Sequence, residues 1–219
     1  MKKKNKKRLV FGASLVAAFV FWTVLVRFVD VRAIGPEGSS VGFAALNVFV
    51  HELTGVNWLL YTVTDWLGLV PIAAALGFAI LGLAQLIKRK SLRRVDRSIL
   101  ALGVFYILVI AAYVFFEIVV INYRPTLIGG YLEASYPSST TMLAMCVMPT
   151  AAMQLNRRIK NTVLRRCAII TVVAFTGFMV IGRLISGVHW ITDIIGGALL
   201  STGLVMIYYS LSDIAEKNC

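Results

Sequence analysis

Residues Ser98–Ile121 read SILALGVFYILVIAAYVFFEIVVI, and this stretch decides the class of fold. It runs for 24 residues and contains a single charged side chain, that of Glu117. An α-helix needs about 20 apolar residues to cross the hydrocarbon core of a bilayer, whereas helices in soluble cores have shorter apolar runs. The stretch therefore predicts a membrane-spanning helix.

Five further apolar stretches are spread along the 219 residues. The composition agrees with several crossings, since 59% of the residues are hydrophobic and only 15% are charged, against about a quarter charged in soluble domains. We predict an all-α integral membrane protein, a bundle of six transmembrane helices that forms a single domain over residues 1–219. Ser98–Ile121 is the third predicted span, and the others are Leu9–Phe28, Leu67–Ile87, Ser138–Met153, Val163–Ile181 and Ile194–Leu211.

The formal net charge of +12 is concentrated beside these spans. Of the 22 Lys and Arg residues, 18 lie in the tail at residues 1–8, at residues 88–97, at residues 157–166 and at Lys217. Cytoplasmic loops carry such an excess of positive charge, and basic clusters beside a bilayer contact anionic lipid headgroups. We predict a multi-pass protein of a bacterial plasma membrane, with membrane lipids and not nucleic acid as its partners. Both termini, including the basic tail, are then cytoplasmic.

The segment at residues 30–66 is placed on the outer side by this topology. It contains the turn signal Gly35-Pro36, and its apolar residues between Val41 and Leu60 follow roughly helical spacing. Trp58 and Trp66 suit a membrane interface. The pattern predicts an amphipathic helix lying along the outer membrane surface.

Three polar clusters map to the same outer face, and ionisable groups near a bilayer are candidates for function. The first cluster ends the third span, from Glu117 to Arg124-Pro125. The second opens the fourth span with Tyr136-Pro137-Ser138-Ser139-Thr140-Thr141, and the third runs from Gly182 to Asp193. Because all three lie at one face, we expect them to form one pocket.

The residue types in these clusters suit phosphate chemistry. Arg124 and Arg183 each offer a planar fork of donors that matches phosphate oxygens. Ser138 and Ser139 begin a helix, whose free N–H groups favour an anion. His189 and Asp193 are four residues apart on one helical face. An Asp that accepts from one imidazole nitrogen leaves the other nitrogen free to attack phosphorus.

Each of these features has a commoner structural interpretation when it is taken singly. An arginine at a helix end usually extends towards lipid headgroups, and Ser138 after a proline is usually a helix cap. A His and an Asp four residues apart usually form a local hydrogen bond. The functional prediction therefore rests on the order and spacing of the clusters and on their shared membrane face.

Together the clusters resemble the type 2 phosphatidic acid phosphatase superfamily of six-helix lipid phosphatases. Its pattern is K-x6-R-P, then P-S-G-H, then S-R-x5-H-x3-D. This chain retains Arg124-Pro125 and Pro137-Ser138, and its third motif is Gly182-Arg183, five residues, His189, three residues and Asp193. The chain departs from the pattern at Glu117 in place of Lys and at Thr140 in place of His, while Ser139 and Gly182 are milder changes.

The resemblance implies a membrane-embedded phosphatase or phosphotransferase that acts at the outer face without metal or cofactor. By position, His189 would form a phosphohistidine and Asp193 would orient it. The phosphoryl oxygens would be held by Arg124, Ser138, Ser139 and Arg183.

Glu117 and Thr140 leave three interpretations open. Thr140 cannot protonate a leaving alcohol, which favours a polyprenyl or other lipid diphosphate as substrate over a simple monoester. Alternatively, Glu117 is buried and protonated and replaces the acid, although an ion pair with Arg124 fits it equally. The other histidine, His51, suits a surface helix better than the site. The alternative function is a degenerate member that binds or moves lipid phosphates without hydrolysis. An oligomeric state is not indicated.

Overall fold

The computed structural model describes residues 3–217, with the side chains of residues 4–212. Met1 and Lys2 of the predicted basic tail lie outside the described residues, and so does the side chain of Lys217. Within this range the regular structure is helical, and only isolated β-bridges occur besides. The predicted all-α class is confirmed. The α-helices of the described range are α1 (Lys3–Phe28), α2 (Ala44–Thr54), α3 (Trp58–Leu67), α4 (Leu69–Arg89), α5 (Arg97–Ile118), α6 (Ser139–Arg158), α7 (Thr162–Ile185) and α8 (Ile191–Lys217).

Each predicted span corresponds to one of these helices, namely α1 and α4 to α8. Five segments of the described chain are long and apolar enough to cross a membrane. One of them, Trp58–Arg89, joins α3 to α4, so the apolar segment begins earlier than the predicted Leu67. The other four are Lys4–Phe28, Arg97–Ile118, Thr162–Ile185 and Ile191–Ser212. Helix α6 is not among them.

Polar residues set the starts of α6 and α7. The Ser138 side chain accepts a hydrogen bond from the Thr141 N–H, which caps α6 as the sequence predicts. Asn161 Oδ1 accepts from the N–H groups of Val163 and Leu164, at 2.9 and 3.1 Å. Such caps satisfy N–H groups that a helix start leaves without partners.

The apolar core lies between α1, α5, α6 and α8. Its buried members include Phe19, Leu102, Met142 and Tyr208. Helices α1 and α8 approach closely at two glycines, since a Cβ atom built on Gly12 would lie 2.8 Å from the Gly203 carbonyl oxygen. Small residues allow backbones to come together in this way, and the added contacts stabilise the pair.

Helix α6 is enclosed by its neighbours and packs against α4, α5, α7 and α8. Polar side chains on it are fully buried, among them Thr150 and Gln154. Gln154 donates to the Tyr208 hydroxyl at 3.0 Å, and Thr150 donates back to the Cys146 carbonyl at 2.8 Å. Because other helices shield α6 and the side chains of Thr150 and Gln154 are paired, it does not need the apolar composition of a lipid-facing helix.

The bundle has two chemically different ends. At the basic end, Ser210 of α8 donates to the Asn5 carbonyl of α1 at 2.7 Å. Arg158, the last residue of α6, lies 3.6 Å from Asp96, which precedes α5. The polar end contains the end of α5, the start of α6 and the α7–α8 turn.

The segment at residues 30–66 lies at the polar end and forms two short helices, α2 and α3, instead of one long one. Asn47 of α2 donates to the Thr192 hydroxyl of α8 at 3.1 Å. Helix α3 packs along α7. The segment is therefore attached to the bundle by specific contacts, whereas its predicted position along a membrane surface stays a prediction.

Candidate active site

The polar end brings Arg124, His189 and Asp193 together, as the sequence predicts. Arg124 lies in the loop after α5, His189 in the turn between α7 and α8, and Asp193 in the first turn of α8. The exposed fractions of these residues are 8%, 3% and 0%. The Trp190 indole N–H, next to His189, donates to the Tyr123 carbonyl, next to Arg124, at 2.8 Å. This bond fixes the two loops relative to one another.

The imidazole of His189 faces the guanidinium of Arg124. Its Nε2 atom lies 3.1 Å from Nη1 of Arg124. A guanidinium can only donate hydrogen bonds, so Nε2 accepts and the proton of the neutral ring is on Nδ1. The lone pair on Nε2 therefore points at the Arg124 guanidinium, a cation that can also bind a phosphate oxygen.

The pKa of His189 is lowered well below its ordinary value of 6.5. Burial is the main cause, because a low dielectric disfavours the charged form. The positive charges of Arg124 and Arg183 lower it further. His189 is therefore neutral near pH 7, which is the form that can act as a nucleophile.

Asp193 does not form the hydrogen bond with His189 that the sequence predicts. The closest approach, between Asp193 Oδ2 and His189 Nδ1, is 3.7 Å. Oδ2 instead accepts from the Trp190 backbone N–H at 2.9 Å, and Oδ1 lies 3.4 Å from Nδ2 of Asn122. The carboxylate satisfies a backbone donor at the start of α8 and so holds the turn that carries His189.

Arg183 is 1% exposed and is bound by α3. Its Nη1 donates to the Thr64 hydroxyl at 3.3 Å, and its Nη2 lies 3.4 Å from the Asp65 carboxylate. The guanidinium carbon also lies 5.0 Å from the centre of the Tyr61 ring, at the distance of a cation–π contact. The Nε atom is buried and has no hydrogen-bond partner among the described residues.

The two serines differ in exposure. Ser138 is fully buried, and its backbone N–H donates to the Asp193 carbonyl at 3.1 Å. Ser139 is half-buried and lines a small cavity of about 10 Å³ beside Tyr113 and Glu117. Ser138 thus joins α6 to α8, while Ser139 remains accessible at the edge of the site.

Neither structural interpretation of Glu117 is found. Its side chain is exposed and not buried as the first interpretation requires. Arg124 forms its ion pair with Glu133 instead, with Nε and Oε2 3.0 Å apart. Thr140, the other departure, is half-buried in the first turn of α6.

Several partners of the site were not predicted from the sequence. Glu133 lies in a polar loop without a motif, and Thr64 and Asp65 lie more than 115 positions from Arg183. Asn122 belongs to the first predicted cluster, but its contact with Asp193 had no separate signal. The signal that could have indicated the contacts of Arg183 is the spacing of the polar residues of α3, which places them on one face of the helix.

His51 lies nearer to the site than a surface helix suggests. Its ring centre is 5.5 Å from that of Trp190, and Asn47, one turn earlier on α2, binds Thr192. Burial is the main cause that lowers the pKa of His51. Its Nδ1 atom is buried without a hydrogen-bond partner in the described part of the chain.

The turn that carries His189 requires glycine at position 187. Gly187 has a φ of +69°, which L side chains adopt rarely. A Cβ atom there would lie 1.8 Å from the Gly55 carbonyl oxygen, and the Asn57 N–H donates to the Ser186 carbonyl at 3.0 Å. The α2–α3 loop therefore rests directly on the α7–α8 turn.

Residues 118–216 match the family model of the PAP2 superfamily. The matched range includes every predicted site residue from Arg124 to Asp193, and Glu117 lies one position before it. This is a PAP2 region. The family resemblance predicted from the sequence is confirmed.

The PAP2 region belongs to a fold that is known from a crystal structure. The first transmembrane PAP2-type phosphatidylglycerolphosphate phosphatase from Bacillus subtilis has 22% sequence identity and a TM-score of 0.56, over 94% of this chain and 96% of that one. No curated protein matches the chain. At this identity the likeness concerns the fold alone. Within the described residues, no three His, Cys, Asp or Glu side chains form a group able to hold a metal ion.

Proposed function

We propose that this protein removes a phosphoryl group from a lipid-linked phosphate through a phosphohistidine at His189. The contact of 3.1 Å between His189 Nε2 and Arg124 carries the proposal. It pairs a buried neutral imidazole with a phosphate-binding group. Arg183 adds a second positive charge that acts on the same ring.

In the first step, the substrate phosphate replaces His189 as the partner of Arg124, which frees the Nε2 lone pair. Nε2 forms a bond to phosphorus while the bond from phosphorus to the leaving oxygen breaks, and the leaving group keeps that electron pair. Arg124 and the unpartnered Nε of Arg183 stabilise the charge on the phosphoryl oxygens. Water then attacks phosphorus, releases inorganic phosphate and restores the neutral imidazole.

The substrate class follows from the leaving group. Thr140 cannot donate a proton as a histidine would, and Glu117 is exposed. An alkoxide leaving group needs such a proton, whereas a lipid monophosphate leaves as a stable anion. We therefore favour a polyprenyl or other lipid diphosphate over a lipid monophosphate.

We infer that α6 is a sixth membrane crossing. The helix is 20 residues long and packs against helices that are long and apolar enough to cross, which supports a crossing beside them. The basic end then faces the cytoplasm under the positive-inside rule. The site opens at the outer face of a bacterial plasma membrane.

A second candidate function is binding or movement of lipid phosphates without hydrolysis. The distance of 3.7 Å between His189 and Asp193 favours it, because the carboxylate does not hold the imidazole directly. The missing histidine at Thr140 points the same way.

Phosphate release from purified protein separates these candidates. We expect turnover of a polyprenyl diphosphate that exceeds turnover of the monophosphate of equal chain length. His189→Ala abolishes release, while the matched control His51→Ala retains it. With substrate labelled in the terminal phosphate, wild type forms an acid-labile protein adduct and His189→Ala does not. If the wild-type protein binds the diphosphate but releases no phosphate, the proposed hydrolysis is wrong and the second candidate function is favoured.

A further inference from the structure

A second cavity lies at the basic end, on the opposite side of the bundle from His189. It has a volume of about 410 Å³ and is formed between α1, α6, α7 and α8. Ligand sites for small molecules commonly have volumes of about 300–1,000 Å³. The lining residues that bear on its chemistry are Arg8, Met153, Asn156, Arg157, Ile169 and Tyr209.

The lining is divided into a polar and an apolar part. Arg157 and Asn156 lie in the last turn of α6, close to the end of the bundle, while Met153 lies one turn deeper. Ile169 lies two turns inside the start of α7 and adds to the apolar wall. A molecule with a charged head and an apolar tail matches this order.

The charge of the cavity selects an anion. Arg8 from α1 and Arg157 from α6 contribute two guanidinium groups, and among the residues whose side chains the structure describes no acidic one lines the cavity. Arg157 donates to the Ser212 hydroxyl at 3.2 Å, and both arginines have partners within the chain. A phosphate would therefore join an existing polar network, in which planar guanidinium groups can each bind two oxygens.

We propose that this cavity binds the phosphodiester headgroup of an anionic phospholipid, with the start of its acyl chains against Met153 and Ile169. Basic pockets between transmembrane helices on the cytoplasmic side bind such headgroups. The site is separate from the proposed catalytic site, and its ligand is not the substrate. Because four helices line the cavity, the lipid would hold α7 against α1 and α8.

Thermal unfolding in an uncharged detergent tests the proposal. Phosphatidylglycerol is a suitable probe because it has no terminal phosphate to be hydrolysed, so the result does not depend on the proposed enzyme activity. We expect phosphatidylglycerol to raise Tm by several degrees and phosphatidylcholine to leave it unchanged. Inorganic phosphate at millimolar concentration should have little effect. An equal rise with inorganic phosphate would overturn the assignment to a lipid.

Variants of the cavity distinguish a built site from general attraction to positive charge. Ile169→Trp fills the apolar part and leaves both arginines in place, and Arg157→Gln removes one charge. Both should lose the rise in Tm. The control Arg166→Gln removes an exposed charge of the same basic cluster outside the cavity and should keep it. An unchanged rise in both cavity variants, or its loss in the control, would overturn the proposal.

Discussion

Arg124 and Arg183 are both buried guanidinium groups of the candidate active site, but different parts of the molecule hold them. Arg124 lies in a loop, and its partners are His189 and the half-exposed Glu133. Arg183 lies near the end of α7, and both of its terminal nitrogens are bound by α3. The first arginine can therefore exchange its partners for a substrate, while the second is fixed and acts mainly through its charge and its Nε.

The largest difference is expected from removal of each guanidinium. Arg124→Ala should lower kcat/KM for phosphate release by about 10²–10³, the loss typical of one transition-state donor. Arg183→Lys keeps the charge and should cost about tenfold, through loss of the fork that binds Thr64 and Asp65. Steady-state phosphate release measures both. A greater loss in Arg183→Lys would reverse the roles assigned here.

Asp65 tests the support of Arg183 by α3. Asp65→Asn removes the charge and keeps a polar side chain, so we expect a loss in kcat/KM of about threefold to tenfold, mostly as a higher KM. Asp65→Glu should restore most of it. The effect on Tm should be small, because Asp65 is 56% exposed and exposed ion pairs contribute at most about 1 kcal/mol. Glu37→Gln, an exposed acid on the same side, serves as the control, and an equal loss there would contradict the role of Asp65.

The pH dependence separates the two arginines electrostatically. Because the pKa of His189 lies well below 6.5, its nucleophilic form persists as pH falls through 6.5, and the acid loss of kcat/KM comes at lower pH. Arg124→Gln removes a cation that lowers this pKa, so the acid loss should move to higher pH. Arg183→Gln should shift it less, since Arg124 is the larger cause. Profiles of kcat/KM from pH 4.5 to 8 measure the shifts. Equal shifts in the two variants would contradict a larger effect of Arg124 on the pKa of His189.

The same lowered pKa affects folding. The unfolded chain binds a proton at His189 near pH 6.5 while the folded chain does not, so stability falls as pH drops below about 6.5. His189→Gln should remove this part of the acid sensitivity. Thermal unfolding of both proteins between pH 5 and pH 8 would show it, and parallel curves would contradict the direction of the shift.

Glu117 should give the smallest effect. It is exposed and does not pair with Arg124, so Glu117→Gln should change kcat/KM by about twofold or less. A loss above tenfold, seen with the monophosphate more than with the diphosphate, would restore Glu117 as a proton donor.

The helices were predictable where their signal is local. The first span was predicted to end at Phe28, and α1 ends there too. The predicted start of α8 at Ile194 was late, because the carboxylate of Asp193 binds the Trp190 N–H and allows the helix to begin at Ile191. Helix α6 shows the opposite case. Its existence was predicted, but its polar composition is explained only by its packing against four other helices, which a local sequence pattern does not show.

The residues of the site were predictable from the sequence, but most of the hydrogen bonds and ion pairs between them were not. Arg124 and His189 meet because the topology puts both at one end of the bundle, which charge and span length indicate. The ion pair of Arg124 with Glu133 and the binding of Arg183 by Asp65 depend on loop and helix packing. Spacing of four residues suggested a bond between His189 and Asp193, but the competing backbone N–H of Trp190 lies closer to the carboxylate.

The close contact between Gly187 and Gly55 has a consequence for recombination among related proteins. The α2–α3 loop and the α7–α8 turn lie 132 positions apart, taking Gly187 minus Gly55, yet they touch through bare backbone. A chimera that takes residues 55–57 from one parent and residues 186–187 from another would join loops of unmatched shape. We therefore expect functional chimeras to take both segments from the same parent, although most of the chain lies between them.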